Sequence, residues 1–214
     1  MSQRIYELRN YTMNPGRRDA LITLFEREFL DSQEEMGAQV DGVFRNLDDP
    51  DRFVWLRSFA DMESRKAALT AFYTSPVWLV NREAANATIA DNDDVLLLRP
   101  VAPIASADAS ASLIAAITFF PRDEDAFAAH FQDEIAPALH NENGELIASF
   151  ATEHSPNTYP RLPIRENDTV FVALARFAPR TPLSAITPAT GTDARLTRPT
   201  EIMRLQPTAR SRLR

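Results

Sequence analysis

Ile5 to Tyr11, Gln39 to Asn46 and Arg52 to Ala60 are short stretches rich in apolar and aromatic residues that read as β-strands. In a strand successive side chains point to opposite faces, so each stretch has two faces of its own. Between the first two stretches, Leu21, Leu24, Phe25 and Phe29 recur at helical spacing. They predict an amphipathic helix that opens at Asn14-Pro15, a cap followed by proline at the first helical position, and stops near Gly37. The turn Asp48-Asp49-Pro50-Asp51 makes a hairpin of the second and third strands. Asp61 caps a further helix through Tyr73, Ser75-Pro76 restarts it to about Ile89, and Asp94 to Val101 supplies a fourth strand. The predicted order, β-α-β-β-α-β, is the ferredoxin-like arrangement, in which the first and third strands lie side by side.

The pattern then restarts. Phe53-Val54-Trp55-Leu56-Arg57-Ser58-Phe59-Ala60 returns as Phe171-Val172-Ala173-Leu174-Ala175-Arg176-Phe177-Ala178, with five of the eight positions identical. An offset of 106 residues pairs Pro15 with Pro121, Phe25 with Phe131, Glu28 with Glu134 and Phe44 with Phe150. Twelve extra residues then enter the second copy in the proline-bearing stretch Ser155 to Arg165, expected to be a long exposed loop. The second copy's second helix is expected to shrink to a short turn, because Pro179 to Ala194 holds Pro182, Pro188 and Gly191. The expected layout is a ferredoxin-like domain over 1–102, an Ala/Ser-rich linker over 103–111, a divergent second domain over 112–207 and a flexible basic tail over 208–214.

Composition narrows the chemistry. A formal charge of −7 argues against nucleic acid and anionic membrane surfaces as partners. The absence of cysteine removes disulfides, thiolate metal sites and cysteine nucleophiles. Strand-like Ile5 to Tyr11 begins almost at once, leaving no signal peptide, and no apolar run approaches membrane-spanning length, so a cytoplasmic protein is expected. No metal or cofactor is expected: His130, His140 and His154 lack ligand spacing, and the glycines form no phosphate-binding loop.

Ile5-Tyr6-Glu7-Leu8-Arg9-Asn10-Tyr11 followed by Pro15-Gly16, together with the Asp61 helix and Ser75-Pro76-Val77-Trp78, resembles the NIPSNAP domain over residues 4 to 100. The resemblance implies the dimeric α/β-barrel superfamily, in which two ferredoxin-like sheets pack face to face. Here the two copies would form that barrel within one chain, as an intrachain pseudo-dimer or as part of a homodimer. The superfamily includes cofactor-independent monooxygenases, haem-degrading enzymes and small lactone isomerases, whereas NIPSNAP domains themselves are mostly of unsettled biochemistry.

The copies differ chiefly on one strand face. Glu7, Arg9 and Tyr11 of the first strand and Trp55 and Arg57 of the third share a polar, aromatic face. At the same offset their counterparts are Leu113, Ala115 and Ile117, and, in the repeated strand, Ala173 and Ala175. With the polar face turned between the sheets, Glu7, Arg9 and Arg57 are the candidate catalytic residues: Glu7 as a base, the arginines holding a carboxylate or enolate. Tyr11 and Trp55 would wall a pocket completed by Leu113, Ala115, Ile117, Ala173 and Ala175. The expected function is binding of a small apolar, anionic or enolisable molecule between the sheets, with a cofactor-independent monooxygenase or isomerase as the activity such a site could carry. The alternatives are a non-catalytic ligand-binding protein and an interaction domain that recruits a partner protein, its polar cluster being only a structural ion pair.

Overall fold

The computed structural model describes residues 4–102, 104, 112–186 and 194–214. Its strands are β1 (Ile5–Met13), β2 (Gln39–Asn46), β3 (Arg52–Phe59), β4 (Ile89–Asp91), β5 (Val95–Ala102), β6 (Leu113–Phe119), β7 (Glu145–Thr152), β8 (Phe171–Phe177) and β9 (Glu201–Pro207). The first copy orders them β2-β3-β1-β5 and the second β7-β8-β6-β9, the ferredoxin-like order twice over. Antiparallel pairing of β2 with β9 and of β5 with β7 joins the two sheets into one closed eight-stranded barrel. The short β4, unforeseen in the sequence, pairs with the end of β1 through Thr12 and Met13.

Helices cover the outside. Over the first copy lie α1 (Arg18–Leu24), a π-helical turn Phe25–Phe29, α2 (Leu30–Glu35), α3 (Met62–Thr74) and α4 (Pro76–Asn86). Over the second lie α5 (Glu124–His130), a π-helical turn Phe131–Ile135, α6 (Ala136–Asn141) and the single-turn α7 (Leu183–Ile186). The caps read from the sequence form: Asp61 accepts from the Ser64 N–H at 2.7 Å, and Ser75 from the Trp78 N–H at 3.2 Å.

Backbone irregularities repeat with the duplication. Both π turns close with an N–H reaching back five residues, Leu30 to the Phe25 carbonyl and Ala136 to the Phe131 carbonyl, and they lie 106 residues apart. Gly37 and Asn143, at the same spacing, both end their helices with positive φ, +95° and +60°. The register of β2 against β3 slips between Val40 and Gly42, and that of β7 against β8 between Leu146 and Ala148.

The first strand departs from this offset. Tyr6 faces Leu98 on β5 and Ile114 faces Leu205 on β9, while Glu7 faces Arg57 and Ala115 faces Ala175. The counterparts of Glu7, Arg9 and Tyr11 are therefore Ala115, Ile117 and Phe119, at an offset of 108. The two-residue slip keeps each side chain on its face, so the loss of polarity stands.

The barrel lumen is filled. Tyr6, Leu8, Val54, Leu56, Leu96 and Leu98 meet Ile114, Ala116, Phe150, Val172, Leu174 and Leu205 in one buried apolar cluster. An eight-stranded barrel is just wide enough for its own side chains, so the space between the sheets is core.

The tail is packed where fraying was expected. Leu213 joins the lumen cluster, its N–H donates to the Asp41 carbonyl at 3.0 Å, and Ser211 Oγ accepts from the Val43 N–H at 3.0 Å. β9 pairs only with Phe44 to Asn46 of β2, and the tail supplies partners for backbone groups further along that strand. The expected linker over 103–111 lies outside the described residues except for Ile104, which packs against the lumen cluster.

Candidate functional site

Because the alternate face of β1 and β3 fills the lumen, Glu7, Arg9, Tyr11, Trp55 and Arg57 point outward, beneath the helices of the first copy. Glu7, Arg9 and Arg57 are fully buried there, and so is Arg65 from α3. Glu7 organises the group. Its Oε2 accepts from Arg9 Nη1 and Arg57 Nε, both at 2.8 Å, and its Oε1 accepts from Arg65 Nε at 2.6 Å. Burial alone would raise the Glu7 carboxyl, but Arg57, Arg9 and Arg65 together outweigh it and hold the group far below the usual carboxylate range.

One carboxylate among three guanidiniums leaves a buried excess of positive charge. Part of the donor capacity is used within the protein: Arg57 Nη1 donates to Gln33 Oε1 at 2.8 Å, Arg65 Nη1 to Asn157 Oδ1 at 3.1 Å, and Arg9 Nε to Tyr11 Oη at 3.0 Å. Four buried donors remain without a hydrogen bond: Arg9 Nη2, Arg57 Nη2, Arg65 Nη2 and Trp55 Nε1. Arg57 Nη2 approaches Glu7 Oε2 at 2.6 Å, an ion pair without hydrogen-bond alignment. The guanidiniums of Arg9 and Arg57 also lie over the Trp55 ring, at 5.5 and 4.9 Å from its centroid.

Beside this cluster is a pocket of about 320 Å³. Tyr11, Trp55 and Gln33 form the side that touches the arginines, and Phe25 and Phe29 of the π turn, Phe72, Tyr73 and Trp78 supply aromatic walls. Burial pushes the Tyr73 hydroxyl up to about 12, so it stays protonated at neutral pH. The cover comes from the other copy. Tyr159, Arg161 and Leu162 of the twelve-residue insertion line the pocket, and the Tyr159 ring stacks on Tyr73 with centroids 5.9 Å apart and planes at 22°. Asn157 and Thr158 fix this loop to α3, through Arg65 and through a 3.2 Å hydrogen bond from Thr158 Oγ1 to the Met62 carbonyl. The loop is thus docked on the first copy, where an exposed loop was expected.

The five residues expected on the polar face do come together, in the sheet-to-helix layer and not between the sheets. Leu113, Ala115, Ile117, Ala173 and Ala175 do not oppose them. They pack beneath Phe127 and Phe131 on the second copy's outer face, which aromatic side chains fill. Sequence reasoning missed Arg65, Gln33 and the covering loop. Arg65 carried a signal: it occupies the buried stripe of α3 with Ala68, Leu69 and Phe72, and a charge at such a position needs a buried partner. Of the histidines, His154 pairs with Glu124 at 2.8 Å and His130 approaches Glu134 at 3.6 Å. Among the described residues no group of His, Asp and Glu side chains is placed to hold a metal ion, and no helix is long and apolar enough to cross a membrane.

The model of the NIPSNAP family matches residues 6–103. The first half of this chain is a NIPSNAP domain. Two solved structures share its whole double architecture. A proposed monooxygenase from Lactobacillus acidophilus is 15% identical, with a TM-score of 0.60 over 95% of this chain and 93% of the other. A second proposed monooxygenase, from Fusobacterium nucleatum, is 8% identical, with a TM-score of 0.63 over 96% and 93%. A NIPSNAP family protein of unknown function from Agrobacterium tumefaciens is 20% identical, with a TM-score of 0.43 over 46% of this chain and 88% of its own. No curated protein matches significantly. At these identities the likeness is one of fold, the ferredoxin-like α/β barrel; the NIPSNAP half alone carries the arginine cluster.

Proposed function

We propose that the NIPSNAP half binds a small, flat, apolar-bodied anion in the aromatic pocket beneath its helices, with the buried arginine cluster as the source of its charge preference. The observation that carries this reading is the excess of positive charge behind the pocket wall, with Arg9 Nη2, Arg65 Nη2 and Trp55 Nε1 buried and without a hydrogen bond. Buried charge is costly unless compensated, and a bound carboxylate, phenolate or enolate would supply compensation. Tyr11 and Trp55 are the groups that meet it. Tyr11 Oη already accepts from Arg9, which leaves its own proton free to be donated, and the Trp55 N–H has no partner. The aromatic walls favour a planar body.

Glu7 serves here as the anchor that holds three guanidiniums in place, rather than as a base. Both its oxygens are engaged, and its lowered pKa makes the carboxylate a weak base and a poor proton acceptor. This favours ligand binding over base-driven catalysis. Isomerisation or oxygenation by dioxygen belongs to substrates acidic enough to ionise without a protein base, their enolate or phenolate then being held by Tyr11 and Trp55, with Arg9 behind them.

The chain's two tryptophans, Trp55 and Trp78, both line the pocket, so intrinsic fluorescence reports its occupancy. Titration with naphthalene-2-carboxylate should quench saturably, with affinity about tenfold above that for the neutral carboxamide, a preference lost in Arg9→Leu. Equal affinity for acid and amide would refute an anion site.

A further inference from the structure

The mouth of the pocket carries a second pair of cations that the buried cluster does not explain. Arg82 from α4 and Arg161 from the second copy's insertion both line the pocket and both are exposed. Among the described residues, neither makes an ion pair or side-chain hydrogen bond, whereas Arg165, four residues further along the same loop, is held by Asp94 at 3.1 Å and Asp168 at 2.6 Å. The chain is otherwise acidic, at −7. Two exposed, unpaired guanidiniums thus line an aromatic pocket whose buried wall backs onto further cations.

We propose that this pocket is built for a ligand with anionic groups at two opposite ends, an aromatic body between them lying against Tyr159, Tyr73 and Trp55, and the outer anion held by Arg82 and Arg161. The proposal rests on the anion-binding reading above and extends it to the outer end. It also gives the insertion a role, since Tyr159 and Arg161 make the second copy the element that selects what the first copy's pocket accepts. A guanidinium presents a planar fork of donors suited to carboxylate and phosphate oxygens. Its rim position favours a modest gain in affinity, sensitive to salt.

Binding of naphthalene-2-carboxylate and of naphthalene-2,6-dicarboxylate is compared by tryptophan fluorescence in the full chain and in Arg82→Ala and Arg161→Ala, with naphthyl phosphate as a third probe. Both substitutions lie at exposed positions and should leave the melting temperature unchanged. The dicarboxylate should bind about tenfold more tightly than the monocarboxylate in the parent chain, and either substitution should erase most of that advantage while leaving monocarboxylate affinity within about twofold. Monocarboxylate binding with no advantage for the dicarboxylate, or an advantage that survives both substitutions, overturns the outer subsite and leaves the inner anion site standing. Failure of all three probes to bind overturns both. Tighter binding of the phosphate than of the monocarboxylate, lost with Arg161, would identify a phosphate as the preferred outer group within the same proposal.

Discussion

Arg65 Nε lies 2.6 Å from Glu7 Oε1 with both side chains fully buried, tying α3 of the NIPSNAP half to β1, one of the two inner strands of its sheet. Replacing Glu7 with Gln keeps the shape but leaves three guanidiniums without a counter-charge. Loss of one partner of a buried pair costs about 3–5 kcal/mol. Urea denaturation should show Glu7→Gln destabilised by that order, with the midpoint lowered and the slope unchanged if the denatured state is unaffected. A loss below about 1 kcal/mol would mean that the cluster is hydrated or already charge-balanced.

The same carboxylate sets a pH dependence. Its folded-state pKa is held below the unfolded value by Arg57, Arg9 and Arg65, against the effect of burial. In that case the unfolded chain binds the proton first as pH falls, so the stabilisation is full above the ordinary Glu value of about 4.3 and is lost progressively beneath it. Melting temperatures measured from pH 7 down to pH 3 should fall more steeply for the parent chain than for Glu7→Gln. Parallel curves would remove Glu7 as a source of acid lability.

Tyr159→Ala should loosen the cover without unfolding the barrel, since the ring packs on Tyr73 and the lumen lies on the other side of the sheet. Hydrogen exchange should accelerate in residues 155–165 and at the facing end of α3, with β6 and β8 unchanged. Uniform acceleration throughout the chain would show that the loop belongs to the global folding unit.

Leu213 tests the tail. As part of the lumen cluster, its replacement by Ala should cost about 2–5 kcal/mol, the range for a buried leucine, whereas Arg212→Ala, at an exposed ion pair with Glu34, should cost under about 1 kcal/mol. Equal small effects would return the tail to the frayed state its composition suggests.

Much of the architecture was legible because hydrophobic period and turn residues fix elements locally. The repeat of Phe53-Val54 at Phe171-Val172 revealed the duplication, and the caps at Asp61 and Ser75 form as read. Alternation also grouped Glu7, Arg9 and Arg57 on one face. It could not say which side of the sheet that face meets, since a strand buried on both sides has no solvent face to orient it. Val54, Leu56 and Leu8 fill the lumen while the charged face lies under helices, an arrangement readable only once the barrel closes. The covering loop was opaque for a different reason. Tyr159 and Tyr73 are far apart in the chain, and nothing local to a proline-rich insertion names the surface on which it docks.

Closure of the ring through the β2–β9 and β5–β7 junctions has a consequence for how such a site can change. In a barrel made from two identical chains every substitution appears twice, so Trp55→Ala would empty both halves at once. With both halves encoded in tandem, the second could exchange its charges for alanines and phenylalanines and lengthen one loop over its neighbour without disturbing the first. Covalent linkage therefore lets the two halves differ, one holding the buried charges beside a pocket and the other a filled apolar face and the loop that covers that pocket.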